Sequence, residues 1–310
     1  MIMLTKEQFQ KAEEYMLHYA RPLEKSLFEY EYRKGSKEAV LDELRQFQNS
    51  DGGFGKGLEP DFRLPDSSPL ATTIAFQIFS RIQISKEDQM LVRALEYLLK
   101  SYDESLQRWV SVSSNVNNYP HAPWWHVHEE GEHSEFTPTW GNPSAEIIGY
   151  FHQYDGTFPN DFLERLKNSA VDVILGYSSE IEMHEILCFL RLVERLEAPH
   201  STTIMEKLKK SLPQVIGKSP DEWENYSATP LTFVHSPNSP LMSVLDHDLI
   251  EKNLIYLISK QLDDGSWEPN WEWGQYHESW EQAKIEWKGI LTLQNLRILD
   301  AFDKIEKKSN

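Results

Sequence analysis

Two stretches far apart in the chain carry the same residue types at the same spacing, and they constrain the fold more than any other feature. Gln48 is followed by Gly52, Gly53 and Phe54, and Gln261 by Gly265, Ser266 and Trp267. Each stretch closes one helix-patterned segment and precedes another, with apolar residues recurring at three- and four-residue spacing on both sides. The spacing predicts helices over 37–49 and 68–83 around the first copy, and over 247–262 and 283–303 around the second. A worn copy, "SYDESLQRW", follows a helix expected at 86–101, with Tyr102 in place of the glutamine. "QYDGTF" at 153–158 has similar letters but falls after the second kind of helix, out of phase, and is set aside as coincidence. A repeated helical hairpin of roughly 50 residues cannot bury its apolar face alone, so repetition implies a stacked or closed array.

The glycines of "DGGFGKGLEPDF" invite a phosphate or metal reading, and the chemistry is wrong for each. A Walker loop needs Lys where Leu58 stands. A dinucleotide fingerprint follows a strand, whereas a helix precedes this loop. An EF-hand needs oxygen ligands at alternate positions and a closing Glu. What remains is a joint after a helix C-terminus, in which glycine takes left-handed angles and Asp51 bonds nearby backbone N–H groups.

Elsewhere the pattern predicts helices at 5–19, 22–33, 143–154, 160–177, 180–196 and 201–216. Thr5 with Gln8 reads as a capping box, and Ser85 with Asp88 as a looser one. Ser68 with Pro69, and Asn142 with Pro143, read as N-cap followed by first helical residue. Long connections at 102–142, 217–246 and 263–282 are functional candidates. The expected class is all-α, in one domain over 1–310 whose residues 1–36 precede the first repeat. A net charge of −18 argues against nucleic-acid and anionic-membrane partners. Absence of a long apolar run argues against membrane insertion, and the N-terminus lacks the features of a secretory signal. One cysteine, Cys188, fits a reducing compartment, so the expected location is the cytoplasm.

"YLISKQLDDGSW" (256–267) resembles the QW motif of squalene and terpenoid cyclases, and "LRQFQNSDGGFG" the glycine-rich repeat of protein prenyltransferase β subunits. Glu43 departs from the aromatic position of that pattern. The resemblance implies an α/α toroid, with inner helices around a central cavity and outer helices surrounding them. It also implies that the motif glutamine and aromatic tie adjacent hairpins together. The families' chemistry does not carry over. "QLDD" lacks the first acid of the cyclase D-x-D-D motif, and Asp263-Asp264 does not continue into D-D-x-x-D. The prenyltransferase zinc motif D-x-C is absent, because Ile186 stands two residues before Cys188. Cys188 lies in an apolar helical run and reads as a small buried residue.

Three regions offer chemistry instead. "NNYPHAPWWHVHEEGEHSEF" (117–136) holds His121, His126, His128 and His133 beside Glu129, Glu130, Glu132 and Glu135. On extended backbone His126 and His128 would share a face and are the candidate metal pair; the alternatives are a ligand-binding lip, in which Trp124 and Trp125 offer flat apolar faces and His126 or His128 a catalytic proton, and a polar loop with a proline-braced aromatic anchor. "GLEPDFRLPDSS" places Glu59, Asp61 and Asp66 just upstream of a helix whose dipole favours their ionised form, with capping and an Arg63 partner as the structural alternative. Glu146, in the first turn of another helix, follows the same logic. "EPNWEWGQYHESWEQ" adds Trp271, Trp273 and His277 to the candidate ligand surface, beside Glu272 and Glu278. No cofactor is specified. The resemblance and the aromatic content, 10 Trp, 13 Tyr and 14 Phe, direct the expectation to a small-molecule ligand, apolar and isoprenoid-like, bound or converted in the cavity. The alternatives are a carbohydrate-active hydrolase or lyase on a helical toroid, and a binding or scaffold protein without a reaction.

Overall fold

The computed structural model describes residues 2–128, 140–154, 160–178 and 181–307, and these are overwhelmingly helical. The helices are α1 (Lys6–His18), α2 (Pro22–Tyr32), α3 (Lys37–Arg45), α4 (Pro69–Ile82), α5 (Gln89–Lys100), α6 (Gly141–Gln153) and α7 (Asn160–Gly176). They continue as α8 (Met183–Val193), α9 (His200–Val215), α10 (Pro220–Trp223), α11 (Pro230–Phe233), α12 (His247–Ser259) and α13 (His277–Ala301). Among the described residues the only strands are β1 (Tyr102–Asp103) and β2 (Arg108–Trp109), which form one short antiparallel pair. The class is all-α. No helix among the described residues is long and apolar enough to cross a membrane.

Most helix starts follow the capping chemistry of the sequence. Thr5 and Gln8 form the expected capping box, and Ser68 Oγ accepts the Ala71 N–H at 3.1 Å ahead of Pro69. Asn142 keeps non-helical angles, so the regular part of α6 begins at Pro143. The start expected at Ser85 moves to Asp88, whose carboxylate accepts the Met90 N–H at 2.8 Å, while Ser85 bonds Glu87. Further along, α13 begins at His277 instead of 283, and the connection 217–246 contains α10 and α11.

The chain divides into two compact units: Leu44–Val215 with Gly274–Tyr276, and Met1–Glu43 with Ile216–Trp273 and His277–Asn310. In the first of these, α4, α6 and α8 pack in a row, and α5, α7 and α9 pack along them. Burial explains the layers. In α6, Pro143 through Phe151 are all buried, as only a helix covered on several sides allows, whereas α5 buries one stripe from Met90 to Leu98. Phe76 stacks on Tyr150 at 4.8 Å between α4 and α6. In the second unit α1, α2 and α13 pack together, and α11 packs on α12.

Each unit contains one full copy of the repeat, and the two copies make the same bonds. Gln48 Nε2 donates to Gly52 O and to Met90 O, both at 2.9 Å. Gln261 Nε2 donates to Gly265 O and to Gln8 O, both at 2.9 Å. The aromatic's own N–H goes to a threonine of the following helix: Phe54 to Thr72 Oγ1 and Trp267 to Thr292 Oγ1, each at 3.0 Å. Gly52 and Gly265 have φ of 96° and 88°. A Cβ on Gly52 would lie 2.4 Å from Arg93 O, and one on Gly265 2.2 Å from Lys11 C. The glycines are needed twice, for the backbone angle and for the approach of α5 or α1. The worn copy keeps half of this: Trp109 N–H donates to Ser144 Oγ at 3.1 Å, and the Tyr102 ring packs on Trp109 at 4.7 Å.

Gly52→Ala and Gly265→Ala should each lower stability by about 3 kcal/mol or more, because a strained φ and a backbone clash coincide. Gln48→Ala should cost about 1–2 kcal/mol, the loss of two part-buried hydrogen bonds. Urea unfolding checks both; equal, small effects from the glycine and glutamine variants would contradict the shared joint.

Candidate functional site

The loop leaving the first joint and the loop at 114–128 are stitched together by backbone bonds within one unit. Arg63 N–H donates to Pro120 O and Ala122 N–H to Asp61 O, both at 2.8 Å, making a short bridge at Phe62 and His121. Phe62 is fully buried, and Trp125, in the turn Pro123–Trp125, meets it edge-on at 5.7 Å. Asn117 then clamps the chain beyond: its Nδ2 donates to Val127 O at 2.6 Å, and its Oδ1 accepts the Val127 N–H at 3.0 Å. Residues on either side of Val127 project together, so His126 and His128 share a face, with rings 5.2 Å apart.

The bonds of His121 fix the protons of two rings. His121 is 1% exposed, and its Nδ1 lies 2.6 Å from Tyr119 O. A carbonyl only accepts, so Nδ1 of His121 carries the hydrogen and Nε2 holds a lone pair. That Nε2 lies 3.1 Å from Nδ1 of His126, which must therefore donate. Neutral His126 is left with a bare lone pair on Nε2, an acceptor without a partner among the described residues. Removal from water, then the neighbouring His121 and His128, lower the pKa of His126. It is a neutral base at physiological pH, with its tautomer chosen by Tyr119 two bonds away.

The other predicted residues divide between this neighbourhood and the scaffold. Glu59 and Asp61 are buried on the loop facing His121, and Glu59 Oε1 accepts the Asp61 N–H at 3.3 Å. Asp66 is exposed and accepts from Asn115 Nδ2 at 2.6 Å, bracing the same two loops. Trp124 is half-buried in the turn beside Trp125. Glu146 is 2% exposed and takes up four partners: Gln77 Nε2 at 2.9 Å, Tyr150 Oη at 2.6 Å, Arg191 at 3.0 Å and Cys188 Sγ at 3.7 Å. It joins α4, α6 and α8. In the other unit, Trp273 is buried against Trp280, Trp271 packs between Tyr226 and Trp287, and His277 is exposed at the start of α13. Among the described residues no group of three or more His, Cys, Asp and Glu side chains is placed to hold a metal ion. His133 and the acids Glu129, Glu130, Glu132 and Glu135 lie outside the described residues.

No known family model matches the chain, and no curated protein is similar to it at a significant level.

Sequence reasoning missed Asn117, Gln275 and Tyr276, because their roles depend on tertiary contacts. Gln275 Nε2 donates to His121 O at 2.8 Å, and the Tyr276 ring stands 5.6 Å from that of His121. It also missed Glu185, fully buried, which accepts the N–H groups of Gly141 at 2.7 Å and Asn142 at 3.0 Å and so fixes the start of α6. Cys188 is buried as expected; burial first, and then Glu146, push its thiol well above the ordinary range.

Protonating His126 is harder in the folded chain than in the unfolded one, so its contribution to stability is present above the ordinary histidine range and lost as pH falls through its lowered folded pKa. Its NMR titration should have a midpoint below that of a free histidine, and Asn117→Ala, by releasing Val127, should move it back towards the free value. Glu146→Ala should destabilise by about 3 kcal/mol, because Arg191 loses its buried carboxylate. The same change should expose Cys188 to alkylation that the intact fold resists.

Proposed function

We propose that this chain binds a small, largely apolar organic molecule and moves a proton to or from it with Nε2 of His126. The observation that carries this reading is the ordered row of hydrogen bonds from Tyr119 O through His121 to His126, which leaves a neutral imidazole with its lone pair free to accept. As the substrate's bond to hydrogen breaks, the N–H bond forms on Nε2 and the electron pair stays with the substrate. The positive charge is then shared, because the Nδ1 hydrogen of His126 can pass to Nε2 of His121, whose Nδ1 hydrogen continues to bond Tyr119 O. A second proton on the pair meets direct repulsion, so the pair holds one. In reverse, protonated His126 donates. Partial removal from water and the neighbouring His121 and His128 rings keep the imidazole neutral.

The scaffold belongs to the same proposal: an α/α toroid of the terpenoid cyclase and protein prenyltransferase type. Its support is the pair of matching joints, and the fact that the joint nearest the C-terminus bonds α1, the first helix of the chain, as the earlier joint bonds α5. A closed array needs such a bond between its last and first hairpins. The chemistry differs from those families, since the site offers a base where the cyclases use a strong acid. A sugar hydrolase is less well supported: Glu59 and Asp61 are 9% and 5% exposed, and Glu59 is turned onto the backbone beside it.

Nitrogen-15 NMR of the histidine rings tests the reading directly. Expected is an Nδ1–H tautomer at both His121 and His126 near neutral pH; an Nε2–H tautomer at His126 would remove the base. Native mass spectrometry of freshly purified chain should show a bound organic molecule that the Trp124→Ala/Trp125→Ala double variant, still folded, does not retain.

A further inference from the structure

We propose that Tyr276 is the specificity-determining residue of this site and that the ligand carries a planar ring, laid against the Tyr276 ring with its ionisable hydrogen directed to Nε2 of His126. The inference rests on the proton-transfer reading above and adds what the ligand must look like.

Tyr276 has φ of 49°, a left-handed backbone that bulky side chains avoid. The other non-glycine residues with positive φ are Lys34, Lys56, Gln83, Gln107 and Asp303, so Tyr276 is the aromatic one among the described residues. Such a conformation persists only where the surroundings impose it. Here they do. Gly274 also has positive φ, at 65°, and the Gln275 side chain is bonded to His121 O at 2.8 Å. The three residues Gly274–Tyr276 pack with the unit that holds the histidines, although their sequence neighbours on both sides belong to the other. A strained turn would ordinarily be compensated by burying its side chain, yet Tyr276 is 43% exposed. The strain therefore places a ring at the site without adding to the core.

What it places is the end of a row. The rings of Tyr276, His121, His126 and His128 follow one another with centroid separations of 5.6, 5.3 and 5.2 Å. Tyr276 and His128 are exposed at the two ends, and the base lies between them. A planar ring gains from such a surface through the offset and tilted contacts that aromatic faces and edges prefer; a flexible chain gains only area. A ring settled on Tyr276 also approaches the histidines in a set direction, which a proton transfer to one nitrogen requires.

The probe for the test is 4-nitrophenol, a planar ring with an ionisable hydroxyl whose ionised form absorbs visibly. Calorimetry with the full chain reads binding, and absorbance reads proton loss. The wild type should bind it at millimolar concentration and raise its ionised fraction. Tyr276→Asn keeps a residue that tolerates left-handed angles and removes the ring; it should bind roughly 3- to 10-fold more weakly, while Tyr276→Phe binds as the wild type does. His126→Gln should lose the ionisation and with it a few-fold of affinity, less than the loss in Tyr276→Asn. Unchanged affinity in Tyr276→Asn, displacement of the probe by cyclohexanol as readily as by phenol, or no binding by the wild type would each overturn the platform. Tyr276-dependent binding with ionisation that survives in His126→Gln would instead remove the base and leave the platform standing.

Discussion

A single side-chain amide carries much of the order in each unit. A glutamine NH2 has two hydrogens, and at Gln48 and Gln261 one closes the glutamine's own loop while the other reaches a carbonyl in the first turn of another hairpin. Local turn and long-range docking are therefore set by the same planar group. No apolar contact fixes two backbones in this way, because dispersion is tolerant of small rotations and a bonded carbonyl is not. Everything else at the joint adapts to this. Glycine is required where the helix backbone comes close, and an aspartate accepts from the loop, Asp51 from Gly53 N–H and Asp264 from Ser266 N–H, both at 3.0 Å. Trp267 and the worn copy's Trp109 further donate their indole N–H groups to Leu257 O and Leu98 O, closing onto the preceding helix.

The joint also explains how a loop can hold the histidines of the proposed proton-transfer site in fixed positions. Phe54 is anchored to Thr72, Ser68 N–H donates to Phe54 O, and Ser68 caps α4, so the segment between them has both ends tied. Bridging at Phe62 and His121 then passes that rigidity to the histidine loop. Asn117 and Gln275 complete it by holding Val127 and His121 through their main-chain atoms, leaving the imidazoles to bond each other. Geometry good to a fraction of an ångström is what a proton transfer needs, and loops reach it only when bonded at this density.

Much of this fold is legible in the sequence because its rules are local. Capping at Thr5 and Ser68, the start of regular helix at Pro143, and the spacing around Gln48 and Gln261 depend on residues within a few positions of each other. The misplacements are local too. Asp88 outcompetes Ser85 because its carboxylate reaches the Met90 N–H at once, and the first turns of α13 are hidden by a tryptophan- and glutamate-rich stretch without apolar spacing. Glu146 shows the limit. Its place in a first turn suggested helix-start stabilisation, but its partners Gln77 and Arg191 come from α4 and α8, which no local pattern announces. The histidine loop was legible as a cluster of suitable side chains; its tautomers and its Tyr276 neighbour, 155 positions after His121 by their numbers, were not.

The direction of the His126 shift also separates local from global electrostatics. A net charge of −18 favours the protonated form of His126. His126 moves the other way, through loss of water and two neighbouring imidazoles. Distance decides the contest. Exposed charges are largely screened beyond about 8 Å at physiological ionic strength, whereas the His121 ring lies 5.3 Å from that of His126, inside that range. Loss of water and two neighbouring imidazoles, not the net charge of the chain, thus set the direction in which His126 moves.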